Sequence, residues 1–168
     1  MISTLKILQA NVWKSSAVQD AMYNDPDIWE CDLVLIQEPH YRTNGRNTYI
    51  TGTGPIFEAI IPKTTQGANQ ERRIRSCIWA NRTNEYTQIL TDSNDITIVI
   101  LQKCNRSVLV ASVYIPGLGQ GEQPDEQELI SRLQEVEGAF SREREKTPEL
   151  ELFVVGDFNR YDSLWGAE

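Results

Sequence analysis

Four apolar runs in this sequence end on a residue able to bind a cation or a phosphate. Asn11 follows Leu5-Lys6-Ile7-Leu8-Gln9-Ala10, and Glu38 follows Asp32-Leu33-Val34-Leu35-Ile36-Gln37. Tyr114 closes Val108-Leu109-Val110-Ala111-Ser112-Val113, and Asp157 follows Phe153-Val154-Val155-Gly156. Each has a plain reading by itself. Glu38-Pro39 can end a strand at a solvated carboxylate, Asp157 to Asn159 can be a turn with side-chain hydrogen bonds, Tyr114 can be an ordinary β aromatic, and Asn11 can cap a loop. Together they read differently. Two carboxylates and two neutral polar groups hold one hard divalent cation and hydrogen-bond phosphate while leaving coordination positions open.

Other chemistries are disfavoured by what the chain contains. His40 is the single histidine, so a Ser-His-Asp or multi-histidine metal site would rest on one residue. Cys31, Cys77 and Cys104 are too few and too far apart for a disulfide framework or a four-ligand zinc site, and they are expected to be reduced core or strand thiols.

Those four residues need strands whose carboxyl ends converge on one rim. Runs rich in β-branched and aromatic residues at 5–10, 33–37, 56–61, 74–80, 96–102, 108–115 and 150–155 predict such strands. Two segments read as helix. Residues 15–23 are capped by Ser15 or Ser16 and end before Asp25-Pro26. Residues 124–146 carry Leu129, Ile130, Leu133, Val136 and Phe140 at helical spacing, with acidic residues crowding the start. Many strands with few helices, several apolar on both faces, predict two packed sheets with helices outside. Residues 41–55 and 62–73 are expected to be long loops.

At 168 residues the chain allows one domain, and roughly 70% of its unfolded surface can be buried. Its 40% hydrophobic and 24% charged residues exclude a disordered tail or a fibrous repeat. No apolar run approaches the ~18 residues of a membrane span, and the amino terminus lacks a signal peptide's apolar stretch, so a soluble, unsecreted protein without membrane partners is expected. The net charge of −8 argues against nonspecific coating of nucleic acid. Its distribution is uneven. Residues 122–149 hold nine acidic and four basic residues, whereas residues 42–82 hold seven basic and two acidic. Arg72, Arg73 and Arg75, together with Arg160 beyond Asn159, are the candidate contacts to a DNA backbone, with the acidic helix facing away.

In order and spacing, LKILQANVWKS, DLVLIQEPHY, SVLVASVYIPG and LFVVGDFNRYDSLWG resemble the endonuclease/exonuclease/phosphatase superfamily, and most closely the apurinic-type endonuclease domain of fungal LINE-type, non-LTR retrotransposon polyproteins. The resemblance implies an α+β fold, a DNase-I-like four-layer α-β-β-α sandwich of two mixed β-sheets. It implies that Glu38 is the main carboxylate ligand of Mg2+ or Mn2+, with Asn11 beside it as a second metal residue. Asp157 would orient or activate the attacking water, Asn159 would hydrogen-bond the scissile phosphate, and Tyr114 would contact its oxygens. DNA would be the substrate, nicked on one strand. A fused reverse transcriptase and an intracellular, nuclear location are also implied.

The family pattern continues past the last motif to a Ser-Asp-His segment that has no counterpart in residues 1–168. His40 follows Glu38-Pro39 and reads as a loop residue near the DNA side, not as a substitute for that histidine. The resemblance therefore implies a carboxy-terminally truncated domain, its second half incomplete, and a weak or inactive phosphodiesterase. The alternative is a non-catalytic remnant that at most binds nucleic acid or a partner.

Overall fold

The computed structural model describes residues 4–44, 47–51, 53–63, 73–117 and 126–159. In chain order the elements are β1 (Ile7–Asn11), α1 (Ser16–Tyr23), α2 (Pro26–Trp29), β2 (Leu33–Gln37), β3 (Tyr41–Asn44), β4 (Asn47–Ile50), β5 (Phe57–Ile60), β6 (Ser76–Asn81), β7 (Glu85–Ile89), β8 (Ile96–Lys103), β9 (Arg106–Tyr114), α3 (Glu126–Lys146) and β10 (Glu151–Asp157).

Two four-stranded sheets form, ordered β1-β2-β6-β5 and β10-β9-β8-β7, with β3 and β4 as a separate hairpin. Each sheet carries one parallel pair at an edge, β1 with β2 and β10 with β9, and its remaining pairs are antiparallel. The registers align the carboxyl ends within each parallel pair: Asn11 lies opposite Gln37, and Asp157 opposite Tyr114.

The period-2 alternation of strand side chains sorts the core into layers. Leu33 and Leu35 of β2, with Ile78 and Ala80 of β6, meet Val99, Leu101 and Val110 of the other sheet. The alternate residues Val34, Ile36, Cys77 and Trp79 pack outward with Met22, Tyr23 and Ile28 of the α1 and α2 region. Ile98, Leu109, Ala111 and Val113 pack outward on Val136 and Ala139 of α3. The result is a four-layer α-β-β-α sandwich, as the sequence predicts.

Helix ends follow capping rules. Ser15 Oγ accepts from the Val18 N–H at 3.3 Å, and α3 has Glu126 and Glu128 in its first turn and Arg144 and Lys146 in its last, each favoured by the helix dipole. Among the described residues no helix is long and apolar enough to cross a membrane.

Several expectations need correction. Within residues 41–55 the chain is not simply a loop: Tyr41 to Asn44 pairs with Asn47 to Ile50. Tyr, Thr and Ile there favour a ladder, and the Asn44-Gly45 step that suggested a loop is also a hairpin signal. Strand β7 was not expected, because its sequence EYTQI is polar; it is a half-exposed edge strand. The short helix α2 starts at Pro26 with Asp25 as its cap, a run too brief to show periodicity. In the helically spaced apolar set of α3, Val136 is buried while Ile130 and Leu133 are 38% and 40% exposed. Cys104 is an exposed turn residue, while Cys77 is buried and Cys31 half-buried, and all three are free thiols.

Candidate active site

The strand faces that build the inter-sheet core change character toward the carboxyl rim. Past Leu33 and Leu35 the next inward residue of β2 is Gln37, fully buried, whose Nε2 donates to Ser112 Oγ of β9 at 2.9 Å. Gln9 of β1 donates in turn to Gln37 Oε1, and Ser76 Oγ of β6 donates to the Ser112 carbonyl at 2.8 Å. The Gln37 and Ser76 bonds to Ser112 tie the two sheets together through satisfied polar groups, and the Gln9 bond braces Gln37 within its own sheet. One step further along the same faces stand Asn11, Tyr114 and Asp157.

Asn11 joins the carboxylates. Its Nδ2 donates to Asp157 Oδ2 at 2.7 Å and to Glu38 Oε2 at 3.4 Å. The Trp13 backbone N–H donates to Asn11 Oδ1 at 2.9 Å, which fixes the amide so that its nitrogen, not its oxygen, faces the acids. Asp157 Oδ1 accepts from the Asn159 N–H at 3.0 Å, and Asn159 Nδ2 donates to the Ile115 carbonyl at 2.7 Å. The Lys14 ammonium lies 3.4 Å from Glu38 Oε1, with its side chain 67% exposed.

Glycine at 156 is a steric requirement. A Cβ there would sit 1.9 Å from the Val113 carbonyl oxygen, so only glycine lets β10 lie close enough to β9 to bring Asp157 beside Tyr114.

Burial pushes the Tyr114 hydroxyl above the ordinary tyrosine range, with the negative charges of Glu38 and Asp157 adding to the shift and the Arg75 cation opposing it. Tyr114 therefore keeps its proton at neutral pH and can act as a donor. The Arg75 guanidinium lies 5.7 Å from the centroid of the Tyr114 ring and 3.7 Å from Asp95 Oδ1. Asp95 also accepts from Arg132 of α3 at 3.1 Å.

Backbone strain is concentrated here. Among the described residues six non-glycine positions have positive φ. Cys104 and Asn105 form the tight turn between β8 and β9, where such angles are required. The other four are Trp13 (49°), Lys14 (58°), Glu38 (49°) and Asn159 (46°). Glu38 is doubly disfavoured because a residue before proline prefers extended backbone, and each such conformation costs roughly 1–3 kcal/mol.

The site thus gathers Asn11, Glu38, Tyr114, Asp157 and Asn159 on one rim, with Arg75 beside Tyr114. Arg73 is exposed and shares with Arg75 and Arg132 an open cavity of about 280 Å3. Arg72 and Arg160 lie outside the described residues. Lys14 and Trp13 were missed, although both stand in the run that carries Asn11. Asp95 and Arg132 were missed because nothing in the sequence pairs a loop acid with an arginine on an acidic helix.

The donor chemistry fits a hard divalent cation. Two carboxylates converge with one exposed ammonium nearby, and no histidine or cysteine takes part. Among the described residues no three acidic, histidine or cysteine side chains cluster, and the oxygen donors that do converge are of the type that suits Mg2+ or Mn2+ better than Zn2+.

No family model and no curated protein matches the sequence. Solved structures do match. The endonuclease domain of TRAS1, a telomere-specific non-LTR retrotransposon, superposes with a TM-score of 0.65 at 17% identity, covering 96% of this chain and 64% of that one. Sphingomyelinase C from Streptomyces griseocarneus gives 0.57 at 13%, covering 98% and 68%. A beta toxin variant from Staphylococcus aureus with bound magnesium ions gives 0.53 at 16%, covering 94% and 66%. The chain spans about two thirds of the length of each of these structures. The fold is the DNase-I-like one that these structures share.

Proposed function

We propose that the chain is a divalent-metal-dependent phosphodiesterase of the DNA-nicking type, similar to the endonuclease domains of non-LTR retrotransposons. One observation carries this reading: Asn11 hydrogen-bonds both Glu38 and Asp157, so two distant acids share a rim built from the carboxyl ends of parallel strands. The resemblance of the four motifs and the likeness to the TRAS1 endonuclease domain support DNA as the substrate.

In this reading Glu38, with Asp157 near it, holds Mg2+ or Mn2+. When bound, such a cation neutralises charge developing on the phosphate oxygens. Asn11 holds the two carboxylates in register through its amide nitrogen, while its oxygen is taken by the Trp13 N–H. Asp157 orients the attacking water and draws off its proton, being itself aligned by the Asn11 and Asn159 donors. The Asn159 side chain has a second amide hydrogen beyond the one given to Ile115, available to a phosphate oxygen. Tyr114, kept protonated, donates to another. Arg75, pinned between Tyr114 and Asp95, supplies fixed positive charge at the rim, and fixed donors of this kind stabilise an in-line displacement. Arg73, Arg72 and Arg160 would steer the backbone of the DNA.

The test is nicking of supercoiled plasmid in Mg2+ by this chain and by a version extended to the length of its structural relatives, with sphingomyelin hydrolysis as a parallel assay. DNA nicking that falls at least a hundredfold in Glu38→Gln supports the reading. Nicking that survives the substitution, or activity on sphingomyelin alone, overturns it.

A further inference from the structure

We propose that Trp13 is a stacking platform for an unpaired nucleobase next to the phosphate that the rim engages; this rests on the nucleic-acid reading above and names the substrate feature it recognises. Two independent observations lead here. Trp13 is 80% exposed, the most exposed large hydrophobic residue among those described. It also occupies a conformation that a bulky residue rarely adopts. The Ser15 N–H donates to the Val12 carbonyl at 2.8 Å, closing a tight turn whose two central residues, Trp13 and Lys14, both have positive φ. Turns of that kind normally take asparagine and glycine, because a large side chain is strained there.

The turn is fixed to the site on both sides. The Trp13 N–H is bonded to Asn11 Oδ1, and the Lys14 N–H donates to the Glu38 carbonyl at 2.8 Å. Any displacement of Trp13 therefore acts on the groups that hold the two carboxylates. Of its chain neighbours, Asn11, Lys14, Ser15 and Ser16 are polar and Val12 is buried, so the adjoining residues add no exposed apolar side chain to the indole. An exposed aromatic face on the turn that carries Lys14 suits a base ring, which offers a π surface whatever its identity. The preference implied is for a strand with an accessible base, such as a frayed end, a bulge or single-stranded DNA, over fully stacked duplex.

The test uses the full chain in Mg2+ buffer, titrated with a short single-stranded oligonucleotide, with a strand of equal length composed of abasic residues, and with phosphatidylcholine–sphingomyelin vesicles. Intrinsic fluorescence and Kd are read for the wild type, Trp13→Ala and Trp13→Phe. The expected result is quenching by the base-bearing strand that is lost in both variants. Its Kd should rise about tenfold in Trp13→Ala and be largely restored in Trp13→Phe, while the abasic strand binds all three proteins alike. Equal affinity of wild type and Trp13→Ala for the base-bearing strand, or equal weakening of both strands, overturns the platform. So does an emission change with vesicles and none with DNA. A wild type that binds neither strand overturns the nucleic-acid reading itself.

Discussion

Asn11 and Asp157, separated by 146 positions, are joined by a 2.7 Å hydrogen bond. The bond connects the edge strands of two different sheets, so it reports the relative placement of the two halves of the sandwich. It also orients one catalytic candidate through another, with the Trp13 N–H fixing the amide and the amide fixing the acid.

Removing that amide should loosen the acids without removing either. Asn11→Ala is expected to lower nicking, or Mn2+ affinity, about 10- to 100-fold, the usual cost of losing an outer partner of a metal-binding group. Steady-state nicking rates and Mn2+ titration check it, and thermal unfolding should move by only a few degrees.

Gly156 admits no side chain. Gly156→Ala places a methyl group against the Val113 carbonyl, and a loss of about 2 kcal/mol or more is expected as β10 is pushed from β9. The midpoint of urea denaturation measures it. Retention of wild-type stability would mean that the two strands are further apart than described.

Asp32 gives a pH signature. Burial pushes its carboxyl up, but hydrogen bonds from the Lys103 ammonium, the Lys6 N–H and Asn84 outweigh it and hold the group below the usual aspartate range. A depressed folded pKa contributes stability that is present above the unfolded value of about 3.9 and is lost as pH falls through the folded value. Asp32→Asn should cost about 3 kcal/mol at neutral pH and flatten this acid limb, as denaturation midpoints across the acidic range will show.

Lys14 carries strain that glycine would relieve. Lys14→Gly removes the penalty of a positive φ at the expense of an exposed pair with Glu38 worth little, so a net gain of about 1 kcal/mol is expected. Differential scanning calorimetry checks the sign.

The convergence of the candidate residues was legible in the sequence because they stand where strands stop. Asn11, Glu38, Tyr114 and Asp157 each follow an apolar run, and strand ends are points at which periodicity visibly breaks. What escaped the sequence was anything defined by partners distant in number: the Gln9 to Gln37 bond, the inter-sheet Gln37 to Ser112 bond and the Arg132 to Asp95 pair. The polar edge strand Glu85–Ile89 and the Tyr41–Ile50 hairpin escaped for another reason, since one-sided burial leaves short strands that resemble loops in composition.

The most direct test is Mn2+ titration of the wild type, Glu38→Gln and Asp157→Asn, followed by electron paramagnetic resonance with the proteins' folding confirmed by circular dichroism. Cation binding in the wild type that weakens at least tenfold in each variant is the expected result, because both carboxylates face the same small volume. Unchanged binding in either variant would mean that Glu38 and Asp157 do not share a cation, and the proposed chemistry would fall with it.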